Sequence, residues 1–134
     1  MPTNMKVKAT ILSLLALTVV LFSGCTTPVA IDPMTGQQQT AKYQAGYFYA
    51  PINADADAIF MTAIRAIDDM GLLRTGELHK KDYIKIYARM VGDKEVVVRI
   101  KQLAAGESEV RIRVGKLGDL PQSQIIYAKI RDAL

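Results

Sequence analysis

The chain has 134 residues, half of them apolar, which allows one domain with a packed core. Its formal charge of +4 falls to about +2 when Lys6 and Lys8 of the N-terminal segment are left out, a balance that argues against nucleic-acid binding. Its single cysteine excludes an internal disulfide and a zinc site built on several thiolates.

The first 24 residues have the layout of a secretory signal peptide. Lys6 and Lys8 form a short basic head, residues 11–22 are apolar apart from one serine and one threonine, and two small residues follow. The apolar run of about a dozen residues is shorter than the roughly 20 that a membrane-spanning helix needs. We therefore predict a signal peptide at residues 1–24 rather than a permanent transmembrane anchor.

The cysteine stands where this segment ends, in the stretch FSGC. This stretch resembles the lipobox of bacterial lipoproteins, with Phe22 where leucine is usual. The resemblance implies that Cys25 carries diacylglycerol, that the chain is cut before it, and that the new amine receives a fatty acid such as palmitate. Two or three acyl chains, at about 0.8 kcal/mol per buried CH₂, hold a protein on a bilayer. The alternative is an ordinary cleaved signal followed by an unmodified cysteine.

The residues after the cysteine address two further points. In bacterial lipoproteins, an aspartate directly after the lipidated cysteine tends to retain the protein in the inner membrane. Here that position holds Thr26, so we expect an outer-membrane protein that faces the periplasm. Residues 25–42 include two prolines, one glycine and three consecutive glutamines, with no helical or strand period. We interpret them as the lipidated cysteine and a flexible tether, which as a coil spans roughly 20–25 Å.

The pattern changes at Tyr43, and residues 43–134 are predicted to fold as one domain in the order β-α-β-β-β-α. YQAGYFYA is a short aromatic strand, and NADADAIFMTAIRAIDDMG is a helix capped by Asn53 or Asp55 with an apolar stripe along one side. Three strands with period-two alternation follow, YIKIYARM, EVVVRIKQL and SEVRIRVG. A last helix begins near Asp119. We predict an α+β two-layer sandwich with a mostly antiparallel four-stranded sheet and two helices on one face.

Core residues must oppose core residues across a hairpin, which fixes the strand registers. For the last two strands, Val98 opposite Ile112 leaves residues 104–106 as the loop, with Gly106 in a left-handed conformation. The hairpin before it needs an odd-length loop. With residues 92–94 as that loop, Ile86 opposes Ile100.

These registers gather basic and aromatic side chains on the other side of the sheet. Arg99 opposite Arg111 and Lys85 opposite Lys101 are like-charge neighbours, which cost stability, and Tyr87 is expected to stack on Arg99. Such a surface can hold an anionic lipid head group, a glycan or an acidic protein patch, and the alternative is an outer face that is merely solvated. The residues of this possible anion- or partner-binding surface are Lys85, Tyr87, Arg89, Arg99, Lys101, Arg111 and Arg113.

The remaining polar residues show no catalytic or metal-binding pattern. His79, the only histidine, has no cysteine or second histidine to share a metal. Ser108 and Ser123 lack a histidine base, and the adjacent Asp68 and Asp69 point about 100° apart on a helix. The VGKLGD stretch lacks phosphate-loop spacing. We therefore predict no enzyme activity, no cofactor and no metal.

Four stretches together resemble a family of small bacterial lipoproteins catalogued as domain of unknown function 3568. They are the lipobox cysteine, YAPINADADAIFMTAIRAIDDMGL, IYARMVGDKEVVVRI and ESEVRIRVGKLGDLPQSQIIYAKIRDAL. The longer tether with its three glutamines departs from the family pattern. The resemblance implies an envelope-anchored α+β domain without established catalytic residues, and it carries over one functional position, Cys25.

The sequence thus predicts a lipid-anchored envelope protein that acts as a non-catalytic binding or accessory module. The alternative is a structural subunit of an envelope protein complex that docks through a sheet edge or the basic surface. The expected partners are the membrane, through the lipid anchor, and an envelope protein, an anionic lipid or a glycan, but no nucleic acid.

Overall fold

A computed structural model of the protein describes residues 41–134, together with the backbone of a short strand at Thr27–Val29. The predicted signal peptide, Cys25 and most of the predicted tether lie outside the described residues. None of the helices in the described part is both long and apolar enough to cross a bilayer.

The described residues form one antiparallel sheet with two helices. The sheet holds seven strands in the order β1-β2-β3-β7-β6-β5-β4, six of them within residues 41–134. In chain order the elements are β1 (Thr27–Val29), β2 (Ala41–Gln44), β3 (Tyr47–Ile52), α1 (Ala56–Asp69), β4 (Leu73–His79), β5 (Ile84–Met90), β6 (Lys94–Ala104), β7 (Glu107–Val114) and α2 (Leu120–Asp132).

The predicted four-stranded sheet is therefore wrong, although the α+β class agrees with the structure. The aromatic stretch that we predicted as one strand is split into β2 and β3, because Ala45 and Gly46 both have positive φ and turn the chain back. Strand β4 was not predicted because its sequence, LRTGELH, is polar and almost wholly exposed. It is an edge strand without a buried face, so it carries no period-two signal.

The core lies between one face of the sheet and the two helices. The alternation predicted for β5, β6 and β7 is confirmed over most of their length, where every second side chain is buried in the core. The two ends of β6 are exposed, and Val97 is buried as well. The fully buried side chains include Phe48, Ile59, Ile67, Ile86, Val98, Ile100, Ile112, Ile126, Tyr127 and Ile130.

The two helix starts are fixed in different ways. Asp119 caps α2 as predicted, because its carboxylate accepts a hydrogen bond from the backbone N–H of Gln122 at 3.1 Å. Asp55 is the N-cap residue of α1, but its carboxylate accepts from Gly106 N at 2.7 Å and from the Gln102 amide at 3.0 Å. Gln102 Oε1 in turn accepts from Ala56 N at 2.6 Å. The first turn of α1 is thereby tied to the β6–β7 hairpin.

The strand registers agree with the predictions in part. Val98 lies opposite Ile112, as predicted, and Gly106 has a φ of 72°. The strands run on to Ala104 and Glu107, however, so the loop is shorter than predicted and the ladder is irregular near its end.

The β5–β6 loop has the predicted odd length but spans residues 91–93, because Met90 pairs with Lys94. Gly92 and Asp93 both have positive φ and close this turn one position earlier than we assumed. Ile86 therefore lies opposite Val98, and the prediction that it opposes Ile100 is wrong.

Candidate functional site

The side of the sheet that faces away from the helices collects cations and tyrosines. Its side chains come from alternate positions of β3, β5, β6 and β7, between the buried core positions. Tyr83 immediately precedes β5. We call this surface the basic face, and its residues are Tyr47, Tyr49, Tyr83, Lys85, Arg99, Lys101, Arg111 and Arg113.

A row of three cations crosses three adjacent strands of the basic face. Arg111 lies opposite Arg99, as predicted, and Arg99 lies opposite Lys85. The predicted pairing of Lys85 with Lys101 is wrong because the β5–β6 turn closes one position earlier. Neighbouring strands are about 4.8 Å apart, and like charges directly opposite each other destabilise a sheet. The repulsion within the row therefore lowers the stability of the folded protein, and nothing in the packing of the sheet requires three cations at these positions.

Three arginines of the basic face each lie over a tyrosine ring. The Cζ atom of Arg99 is 4.0 Å from the centre of the Tyr83 ring. The corresponding distance is 4.7 Å both for Arg111 over Tyr49 and for Arg113 over Tyr47. Each such contact contributes about 0.5–1 kcal/mol at exposed sites, which offsets part of the repulsion within the row.

Tyr87 does not make the predicted contact with Arg99. It lies opposite Val97 in the neighbouring strand, while Tyr83 occupies the position over Arg99. Arg89, at the far end of β5, forms an ion pair with Asp93. The pKa of Arg89 is raised, mainly by its hydrogen bond to Asp93 and to a smaller extent by the negative charge of that carboxylate. Tyr87 and Arg89 are thus on the predicted side of the sheet but stand apart from the row of cations.

Few carboxylates neutralise the basic face. Glu109 accepts from Arg111 Nε at 2.6 Å. Within residues 41–134, no carboxylate forms an ion pair with Lys85, Arg99, Lys101 or Arg113. Most of the positive charge of this surface is therefore available to an anionic partner.

The centre of the basic face is a shallow cleft of about 120 Å³. Val97 lines it and is only 4% exposed, although it points away from the core. Tyr47, Tyr49 and Arg111 are among the other lining residues. Arg99 also lines the cleft, and its Nε is the one buried side-chain nitrogen or oxygen in the described residues without a hydrogen-bond partner. A buried unpaired donor costs about 1–3 kcal/mol.

Sequence reasoning placed the cations of this surface but missed three of its aromatic residues. Tyr47 and Tyr49 reach the cations because β3 pairs with β7, which puts Tyr49 opposite Arg111. No local pattern predicts a pairing between strands so distant in the chain. The alternation of tyrosines with Phe48 and Ala50 was the available signal, since it marks the two tyrosines as the outward side of a strand.

The other polar residues singled out from the sequence have structural surroundings. His79 Nε2 is 3.1 Å from a Glu77 carboxylate oxygen, and its ring lies 5.0 Å from that of Phe60. The Ser108 hydroxyl donates to Ala54 O at 2.8 Å, and the Ser123 hydroxyl to Asp119 O at 2.7 Å. The described residues contain no group of three or more His, Cys, Asp or Glu side chains that could hold a metal.

Comparison with known proteins gives one result. A family model described as a protein of unknown function (DUF3568) matches residues 8–133. No curated protein is significantly similar to the chain. The family description states no activity, so function has to be argued from the residues themselves.

Proposed function

The chain belongs to the family of proteins of unknown function DUF3568, and we propose that it is a lipid-anchored lipoprotein of the bacterial cell envelope. In this proposal the anchor is on Cys25 and the protein faces the periplasm from the outer membrane. Its domain acts as a non-catalytic module that binds an anionic partner. The observation that carries the binding role is the row formed by Arg111, Arg99 and Lys85.

The row favours an anionic partner for an energetic reason. Three like charges on adjacent strands lower the stability of the free protein, whereas a bound anion would interact favourably with all three. The tyrosine rings beside the arginines offer flat apolar surface to the non-ionic part of the same partner. A lipid head group or an anionic glycan combines both properties.

The anchor is tested by replacing Cys25 with alanine. In a bacterial host, we expect the wild-type mature protein to begin at Cys25, to carry the mass of its acyl chains and to incorporate labelled palmitate. The Cys25→Ala variant should incorporate no label, and Thr26→Ala is the matched control that should be labelled like wild type. Mass spectrometry of the mature N-terminus is the measurement. A wild-type protein that begins elsewhere, or carries a free thiol at Cys25, contradicts the proposal.

The basic face is tested by charge reversal. We expect the full chain, purified in a neutral detergent, to bind micelles doped with phosphatidylglycerol more tightly than micelles doped with phosphatidylcholine. The double variant Arg111→Glu, Arg113→Glu should bind the anionic micelles at least about tenfold more weakly, because attraction becomes repulsion. Microscale thermophoresis measures both affinities.

Arg65→Glu is the matched control for this experiment. Arg65 is exposed on α1, on the helix side of the sheet, so reversing its charge should leave binding unaltered. Rising salt should weaken wild-type binding, since exposed charges are screened. The binding role is refuted if wild type does not distinguish the two lipids, or if the double variant binds like Arg65→Glu.

One observation favours the alternative, a structural subunit of an envelope complex. Strand β4 is an edge of the sheet, and Leu73 on it is 68% exposed. An exposed edge strand can pair with a strand of another protein. Mild cross-linking in cells followed by purification separates the two functions. A stable complex with one protein favours the subunit, and a captured lipid or glycan favours the binding module.

A further inference from the structure

A groove beside the basic face brings further cations together. It is an open cavity of about 560 Å³ bounded by the first turn of α1, the loop of residues 80–83 and strand β6. It is lined by four cations and by the two carboxylates of Asp57 and Asp82. The four cations are Lys80, Lys81, Arg99 and Lys101.

The positive charge of the groove is not neutralised by ion pairs. In the described part of the chain, no carboxylate forms an ion pair with any of the four cations. Asp57 and Asp82 therefore reduce the net charge of the groove but do not bind its lysines directly. The lining carries two more positive than negative charges.

Arg99 is the residue that connects the groove to the basic face, since it lines both the groove and the cleft. Its guanidinium lies over Tyr83, which also lines the groove, and its Nε has no hydrogen-bond partner. An anion that drew the guanidinium toward the groove would supply an acceptor that the described residues do not.

We infer that the groove binds a terminal phosphate group, as inorganic phosphate or as a phosphomonoester. The inference rests on the proposed function, because Arg99 and Lys101 belong to both the basic face and the groove. It narrows the proposed anionic partner to compounds with a terminal phosphate. A phosphomonoester carries a charge of about −1.5 to −2 at pH 7 and three strong acceptor oxygens. Those oxygens suit a groove with one arginine fork and several lysine ammonium groups.

The α1 N-terminus plays no part in this inference. Ala56 lines the groove, but its backbone N–H already donates to Gln102 Oε1. We therefore expect the ligand to interact with the charged side chains of the groove and not with the Ala56 N–H at the helix terminus. A phosphodiester with a single charge would interact more weakly with the same cations than a dianion does.

The test titrates the full chain in neutral detergent with inorganic phosphate, with glycerol 3-phosphate and with phosphatidic acid in neutral micelles. We expect wild type to bind at least one of these probes in isothermal titration calorimetry. The double variant Lys80→Gln, Lys81→Gln should bind it at least about tenfold more weakly. Arg65→Gln, which removes one positive charge from α1 outside both the groove and the basic face, should bind it like wild type. Binding of a phosphomonoester should weaken as the pH falls through about 6, where the dianion takes up a proton and becomes a monoanion.

The three probes distinguish the source of the phosphate group. Binding of the two soluble probes supports a soluble phosphate compound, and binding of phosphatidic acid alone supports a lipid head group. The inference is overturned if wild type binds none of the three, or if the double lysine variant binds as tightly as wild type. Lys80 and Lys81 are exposed, so their replacement should not disturb folding, and circular dichroism checks this.

The binding of wild type in the two experiments separates this inference from the proposed function. If wild type binds phosphatidylglycerol micelles in the charge-reversal experiment but none of the three phosphate probes, the basic face remains supported and the groove does not. If phosphate binds but phosphatidylglycerol micelles are not recognised, the binding role of the basic face fails while the groove stands.

Discussion

Replacing Gly118 with alanine is expected to lower the free energy of unfolding by about 3 kcal/mol. A Cβ atom at this position would lie within 3.0 Å of backbone atoms of Gly46 and 2.6 Å from the Tyr43 hydroxyl oxygen. Gly118 also has a φ of 86°, which side chains rarely adopt. The β2–β3 turn and the loop before α2 therefore touch at a point where only glycine fits, and alanine must push them apart.

Gly115→Ala is the matched control for this prediction. Gly115 has a φ of 72°, but no atom lies within 4 Å of an added Cβ. Its replacement should cost only the backbone strain, about 1 kcal/mol. Equilibrium urea unfolding of the purified protein measures both variants. Equal losses in the two variants would show that the contact with Gly46 does not contribute, and would contradict the prediction.

Replacing Tyr127 with alanine is expected to lower the free energy of unfolding by about 3–5 kcal/mol. Tyr127 is fully buried on α2, and its ring packs edge-on against Phe48 with the ring centres 5.3 Å apart. Its hydroxyl donates to Pro51 O at 2.8 Å. Tyr127→Phe keeps the ring and removes only this hydrogen bond, so it should cost about 1 kcal/mol. Urea unfolding of the two variants separates packing from hydrogen bonding, and an equal loss in both would contradict this account.

The hydroxyl of Tyr127 adds a dependence on pH. Burial raises the pKa of Tyr127 above its ordinary value, and the charge of Arg131 opposes this shift. The unfolded chain therefore loses this proton first, and the contribution of the neutral hydroxyl to stability is complete below about pH 10 and lost as pH rises further. The advantage of wild type over Tyr127→Phe should shrink as the pH rises above about 10. An advantage that stays constant or grows over this range would refute the assignment.

Much of the core could be predicted from the sequence because its strands are amphipathic. Strand β7 alternates arginines with Val110, Ile112 and Val114, and this alternation fixes both its buried side and its register against β6. The cations of the basic face followed from the same alternation, since they occupy the outward positions. These predictions required only the alternation of residues within each strand and the register of one hairpin.

The rest depends on information that a local pattern does not hold. Strand β4 has no buried side, and its ladder is irregular between Arg74 and Gly76, so nothing in its sequence distinguishes it from a loop. Tyr49 meets Arg111 only because β3 joins the sheet beside β7. The contact between Tyr83 and Arg99 depends on a turn that closes one residue earlier than we assumed. In each case tertiary packing decided the outcome.

If Cys25 carries the proposed lipid anchor, strand β1 affects how far the domain can move from the bilayer. It begins at Thr27, two residues after Cys25, and pairs with β2. While β1 is paired, an acylated Cys25 would be within about 7 Å of the sheet along the chain. If these three residues unpaired, the whole of residues 26–40 would separate Cys25 from β2, which begins at Ala41. Under the proposed lipid anchor on Cys25, these three residue pairs would therefore determine how far the domain can stand from the membrane.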